Sequence, residues 1–267
     1  MLNNISEYLT QWAALVPERV YCQDLQGIKL TYMQFESRVN QCCYLFSSLG
    51  VHKGNVLSIN IPNTLSFMII YLACIRSGII INPCQSSLSR YEIIKNLLFV
   101  QSDLFITHKD FEYSEEGINI KIFNFKGDKD FFTVLNAFSE EPFDIKISKK
   151  DIACYYNSSG TTGDSKYIIY NHFNMVSMIK SVVSTFRFDD HSRHLGFLPF
   201  AFTSITNYSF LPMLFSGGLL ILAGNFISIR TRFWDIVNEY KINYTQIVPT
   251  IAFTMLSSEY SFESIKL

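Results

Sequence analysis

Short apolar runs rich in branched residues alternate along the chain with longer stretches in which apolar positions recur at helical spacing. That is the pattern of strands joined by crossover helices. LTYMQFESRVNQCCYLFSSLG (30–50) predicts a helix capped by Thr31, carrying Phe35, Val39, Cys42 and Leu45, and stopping at Gly50. VLSINIP (56–62) reads as a strand, NTLSFMIIYLACIRSG (63–78) as a helix ended by Gly78, and IIINP (79–83) as a strand closed by Pro83. Together these make a βαβ unit. A helix over 89–101 and strands DLFITH and IKIFNF continue the sheet to about residue 125, whereas 126–150, with GDKD, SEEP and ISKK, reads as a polar surface connection. The chain therefore divides, on this reading, into a βα subdomain over 1–150 and a second over 151–267. The second runs from strand DIACYYN through a polar loop into helix HFNMVSMIKSVVSTF. Strand HLGFLPF, a helix around 205–215, strand LLILAG, helix TRFWDIVNEYK, strand YTQIVP and a helix from Thr250 follow. The predicted class is α/β, built of stacked βα units.

Composition narrows the possible partners. Of 267 residues, 17% are charged and 15% aromatic, which argues for a packed core rather than disorder. A net charge of −1 with mixed signs gives no footprint for nucleic acid or an anionic membrane. Cysteines 22, 42, 43, 74, 84 and 154 form no C-x-x-C pair, as expected of reduced thiols in a cytoplasmic protein. His191 and His194 form an H-x-x-H pair whose nearby acids are Asp189 and Asp190, and no metal site is expected there. The first twenty residues lack the basic and apolar regions of a secretory signal. Residues 195–229 carry no Lys, Arg, Asp or Glu, but Pro199, Asn207, Pro212 and Gly217-Gly218 break the run into lengths suited to buried strands and helices rather than a membrane span.

Chemistry concentrates in SSGTTGDSK (158–166), which follows the apolar DIACYY. Gly, Ser, Thr and Asp are turn formers, so a surface turn is one reading. The other is a loop that wraps an anion: glycines let backbone N–H groups converge, hydroxyls add donors, and Lys166 supplies a point charge. The run fails the Walker pattern, because Ser165 and Tyr167 flank the lysine, and it lacks G-x-G-x-x-G spacing.

SSGTTGDSKYIIYNHFNM resembles the phosphate loop of the adenylate-forming superfamily, the acyl-CoA synthetases and related AMP-binding enzymes, written S-G-T-T-G-x-P-K-G and followed by T-H-x-N. Ser159, Gly160, Thr161, Thr162, Gly163 and Lys166 match the loop, and His172 and Asn174 the downstream pair. LTYMQF, the run from Gly54 to Pro83, LPF (198–200), Gly217-Gly218 and VPT (248–250) follow in the family's order, so the resemblance covers essentially the whole chain. It implies the incomplete N-terminal large domain of an adenylate-forming enzyme. The implied reaction is attack of a small carboxylic acid on the α-phosphate of ATP, with Mg²⁺, and acyl transfer to coenzyme A as acceptor. The six loop residues would hold the phosphates; the catalytic residue is not identified.

Departures carry their own expectations. Ser165 stands for proline, Tyr167 for glycine and Asn55 for aspartate. In Leu198-Pro199-Phe200-Ala201-Phe202 an aromatic replaces the histidine that lines the family's acyl pocket. Phe202, with Thr203, would shape that pocket, or Phe202 would be plain core. After SFESIKL the family's adenine, ribose and lysine motifs do not follow. On this reading the chain alone forms no adenylate, and a complementary C-terminal half would complete it. The rival reading is a non-catalytic remnant or regulatory binding module that keeps the fold.

Overall fold

The computed structural model describes residues 2, 4–111, 119–158 and 166–257. In chain order its elements are α1 (Ser6–Leu15), β1 (Val20–Asp24), β2 (Lys29–Thr31), α2 (Tyr32–Ser48), β3 (Val56–Asn60), α3 (Leu65–Ser77), β4 (Ile80–Pro83), α4 (Arg90–Phe99), β5 (Leu104–Thr107) and β6 (Lys121–Asn124). There follow α5 (Gly127–Leu135), β7 (Ile152–Ser158), β8 (Lys166–Asn171), α6 (His172–Phe186), β9 (Arg193–Gly196), α7 (Thr203–Tyr208), α8 (Phe210–Ser216) and β10 (Leu219–Leu222). The last described elements are α9 (Phe226–Ile229), a 3-10 turn (Arg230–Arg232), α10 (Phe233–Glu239), β11 (Tyr244–Thr245) and α11 (Pro249–Ser257).

Helix starts follow local hydrogen bonding. The Gln34 N–H donates to Thr31 Oγ1 (3.2 Å) while the Thr31 N–H donates to the Gln34 side chain (2.9 Å), a capping box that satisfies two donors at once. Ser89 and Glu92 repeat the device at α4. Thr31→Ala should lower stability by about 1 kcal/mol, read as a lower urea midpoint with unchanged slope; an unchanged midpoint would deny the cap that role. At the other end of α3, Gly78 takes φ 66°, the left-handed conformation in which glycine is at no disadvantage.

Two sheets organise the chain. One has the order β6-β5-β3-β4-β7-β8, the other β11-β9-β10-β1-β2, and each is parallel apart from one antiparallel edge strand, β8 or β2. Between them lies α3, which touches β4 of the first sheet and β1 of the second. All thirteen of its residues are buried, as a helix apolar on every side requires. α2 packs along α3, and the carboxylate of Asp128, on α5, accepts the Leu65 and Ser66 N–H groups at the amino end of α3, where the helix dipole favours an anion.

The sheets do not follow the change of unit expected near residue 150. β7 and β8, beyond it, extend the sheet of β3 to β6, while β1 and β2, before it, join β9 to β11. Pairing across the interior, Ile81 with Cys154 and Cys22 with Leu220, overrides the order of the chain. Residues 126–150 are not wholly a surface connection either: they open with α5, which buries Phe131 and Leu135, one helical turn apart. The helix around 205–215 is two helices, α7 and α8, divided at Ser209. The uncharged run 195–229 is thus divided among β9, α7, α8, β10 and α9, and among the described residues no helix is long and apolar enough to cross a membrane.

Candidate functional site

β7 enters the sheet beside β4 with Ala153, Cys154 and Tyr156 buried, and its carboxyl end turns back into β8. The hairpin pairs Ile152 with Asn171 at its base and Ser158 with Lys166 at its mouth. Ser159, Gly160, Thr161, Thr162 and Gly163 lie outside the described residues, between these two paired ends. Lys166 is described: it is exposed, at the first position of β8. The expected loop therefore springs from the carboxyl end of a parallel strand, where α/β sheets characteristically receive ligands. β8 itself was not expected, because Tyr167 to Asn171 read as a lead-in to the helix.

Tyr167, in the place of the pattern's glycine, is held firmly. Its ring stacks on Phe99 (centroids 4.8 Å apart, 15° between planes) and packs on Val56, Ile80 and Val100, while its hydroxyl accepts the Asn96 side-chain N–H at 2.5 Å. Desolvation pushes its phenol up to about 12, so it stays protonated at neutral pH. Asn96 in turn accepts from Asn82 (2.7 Å), which also donates to Ser58 Oγ (2.8 Å).

The downstream pair divides its work. Asn174 closes the start of α6: its N–H donates to Asn171 Oδ1 (2.7 Å) and its side chain accepts the Asn171 N–H. His172 is fully buried, with neither ring nitrogen hydrogen-bonded. Burial, opposed by the negative charge of Asp151, pushes its pKa down to about 4, so it is neutral at pH 7.

The Leu198–Phe202 segment is seized from the other sheet. Asn63, between β3 and α3, donates to the Leu198 carbonyl (2.5 Å) and accepts the Phe200 N–H (2.9 Å). Phe200 is the core aromatic, packed on Phe67 and Phe210. Phe202 is 40% exposed and caps α7, its carbonyl accepting the Ile205 and Thr206 N–H groups. Thr203 opens α7, half-buried. The Tyr71 and Tyr156 hydroxyls meet at 2.9 Å in the buried interior, joining α3 to β7.

Sequence reading passed over Asn63 and Asn96. Each had a signal: Asn63 follows proline in a turn, and Asn96 interrupts the apolar face of α4 beside Ile93 and Leu97. A cleft of about 600 Å³ opens at the carboxyl ends of β1 and β10, lined by Asp24, Lys126, Asp128 and Arg232 among others; Lys166, Phe202 and Thr203 take no part in it. Among the described residues no group of three His, Cys, Asp or Glu stands together. His191 is open to solvent, with its side chain 88% exposed, while His194 is buried against Tyr244.

The chain is 25% identical over 250 residues to the probable CoA ligase CCL5 of Humulus lupulus, covering 87% of this chain and 44% of that one. It is 23% identical over 258 residues to the long-chain-fatty-acid–CoA ligase FadD13 of Mycobacterium tuberculosis, covering 94% and 50%. It thus spans about half the length of these curated relatives. Its fold matches the inhibitor-bound N-terminal domain of FACL13 from Mycobacterium tuberculosis with a TM-score of 0.88 at 20% identity, over 97% of this chain and 66% of that one. ATP-bound MatB from Rhodopseudomonas palustris matches with a TM-score of 0.87 at 19% identity, over 97% and 52%. Residues 9–266 match the profile described as AMP-binding enzyme, and the chain belongs to that family.

Proposed function

We propose that the chain is the phosphate-loop part of an acid-activating ligase. In this reading a small carboxylic acid attacks the α-phosphate of ATP, an acyl adenylate and pyrophosphate form, and the acyl group passes to coenzyme A. The observation that carries it is the loop pattern lying between the paired ends Ser158 and Lys166 in a chain whose family match runs over 9–266. Little covalent work falls to the protein in such chemistry: donors hold the β- and γ-phosphates and neutralise the charge growing on the leaving group. Ser159, Thr161 and Thr162 would donate hydroxyls, Gly160 and Gly163 would let backbone N–H groups approach, and Lys166 would contribute its ammonium. Phe202, exposed at the cap of α7, and Thr203 would border the acid. Mg²⁺ and coenzyme A belong to the lineage and complete the reading. A cytoplasmic location goes with it, since all six cysteines are buried free thiols.

Calorimetry with ATP is the test. The wild-type chain should bind ATP, and Lys166→Ala should weaken binding by ~1–3 kcal/mol, the worth of a hydrogen bond to a charged group. Equal affinity in the two proteins, or none in either, would return the run to a polar turn and favour a remnant that keeps the fold without the ligand.

A further inference from the structure

We infer that Tyr167, held by Asn96, is the positioning residue for Lys166. The inference rests on the ATP-binding reading above. β8 is an edge strand, and its exposure does not alternate: Ile168 and Ile169 are both exposed, in succession. A strand without alternation has little in its own apolar pattern to specify register, and a slip of one residue would carry every side chain to the opposite face. The register of β8 is therefore held by ring contacts: Tyr170 meets Tyr156 edge-on toward the helix end, and Tyr167 holds the end nearest Lys166. The Tyr167 ring is seated between Phe99 and the Val56, Ile80 and Val100 cluster, and its hydroxyl accepts from Asn96, a side chain only 7% exposed.

The holding point is anchored in the sheet interior. Asn96 accepts from Asn82, and Asn82 donates to Ser58, so the chain of bonds runs from β8 through α4 to the neighbouring central strands β4 and β3. Neighbouring residues of a strand point to opposite faces. Fixing Tyr167 toward α4 therefore sends Lys166 to the other face, at the mouth of the hairpin opposite Ser158. A strand end fixed before the ligand arrives leaves less ordering to be done on binding, which favours affinity.

Three variants test this in the full chain by ATP calorimetry: Tyr167→Phe, which keeps the ring and drops the hydroxyl, Asn96→Leu, and the pair together. Each single change should weaken ATP binding roughly two- to tenfold, the range for one hydrogen bond, and the double variant should be no weaker than the worse single, because both remove the same bond. In a Lys166→Ala background Tyr167→Phe should cause no further loss. A purely structural tyrosine would instead lower the melting temperature and leave ATP affinity alone. Wild-type affinity in Tyr167→Phe, with Lys166→Ala still weakened, overturns the inference and spares the ATP reading. Should Asn96→Leu fail to fold, Tyr167→Phe in the two backgrounds decides the matter. If the wild type itself does not bind ATP, the reading falls and this inference with it.

Discussion

Arg76→Ala should lower the stability of the chain by about 3–5 kcal/mol, the loss expected when one partner of a buried ion pair is removed. The guanidinium, 7% exposed, donates to Glu36 Oε2 at 2.7 Å, to Asn40 Oδ1 at 2.6 Å, to Thr10 Oγ1 at 3.2 Å and to the Ser6 carbonyl at 3.3 Å. It sits near the end of α3 and ties that helix to α1 and α2. Removing it strands the Glu36 carboxylate in the interior with one described donor, the Thr10 hydroxyl. It also loosens Asn40, whose side chain holds residues 140 and 143 of the segment after α5. The double variant Arg76→Met, Glu36→Leu should recover much of the loss, since no charge is then left buried. Urea denaturation of the two variants is the measurement. A loss below 1 kcal/mol in Arg76→Ala would show that water reaches the pair.

Stability should also fall steeply between pH 6.5 and about 4. His172 and His194 are both buried, and burial pushes their pKa values down to about 4 and about 3, from an ordinary 6.5. As pH drops below 6.5 the unfolded chain takes up a proton on each imidazole and the folded chain does not. The unfolded state then binds more protons and is stabilised relative to the folded one. The contribution of the neutral imidazoles is therefore complete above pH 6.5 and is lost progressively toward the folded pKa values. At about 1.4 kcal/mol per unit, His172 alone is worth roughly 3 kcal/mol across its window, and His194 acts in the same sense. Asp151 and Asp190 have pKa values held below the ordinary carboxylate range by their Lys53 and Arg19 partners, so their losses come at lower pH. Urea midpoints at pH 7.5, 6.5, 5.5 and 4.5 should decline, and His172→Gln should flatten the decline. A midpoint equal at pH 7.5 and 4.5 would mean that the two rings protonate inside the fold.

What the sequence determined on its own is what depends on near neighbours. The Thr31 and Ser89 caps, the Gly78 stop and the β3–α3–β4 unit are written within stretches of a few residues to about thirty, because capping bonds and apolar periodicity act over one or two turns. The phosphate-loop pattern is local as well, and so is the identity of Lys166. Tertiary structure decided which segments share a sheet: β1 finds β10 about 200 residues away, a pairing no local pattern announces. It also gave charged residues such as Asp128 an interior purpose at the start of α3, in a stretch whose composition reads as loop. Asn96 is ambiguous until Tyr167, 71 residues on, is brought to its side chain, and Arg76 until Glu36, 40 residues back, reaches it. A polar side chain in an apolar pattern announces only that it needs a partner, since burying it unpaired is costly; which partner arrives is settled by the packing of the two sheets about α3.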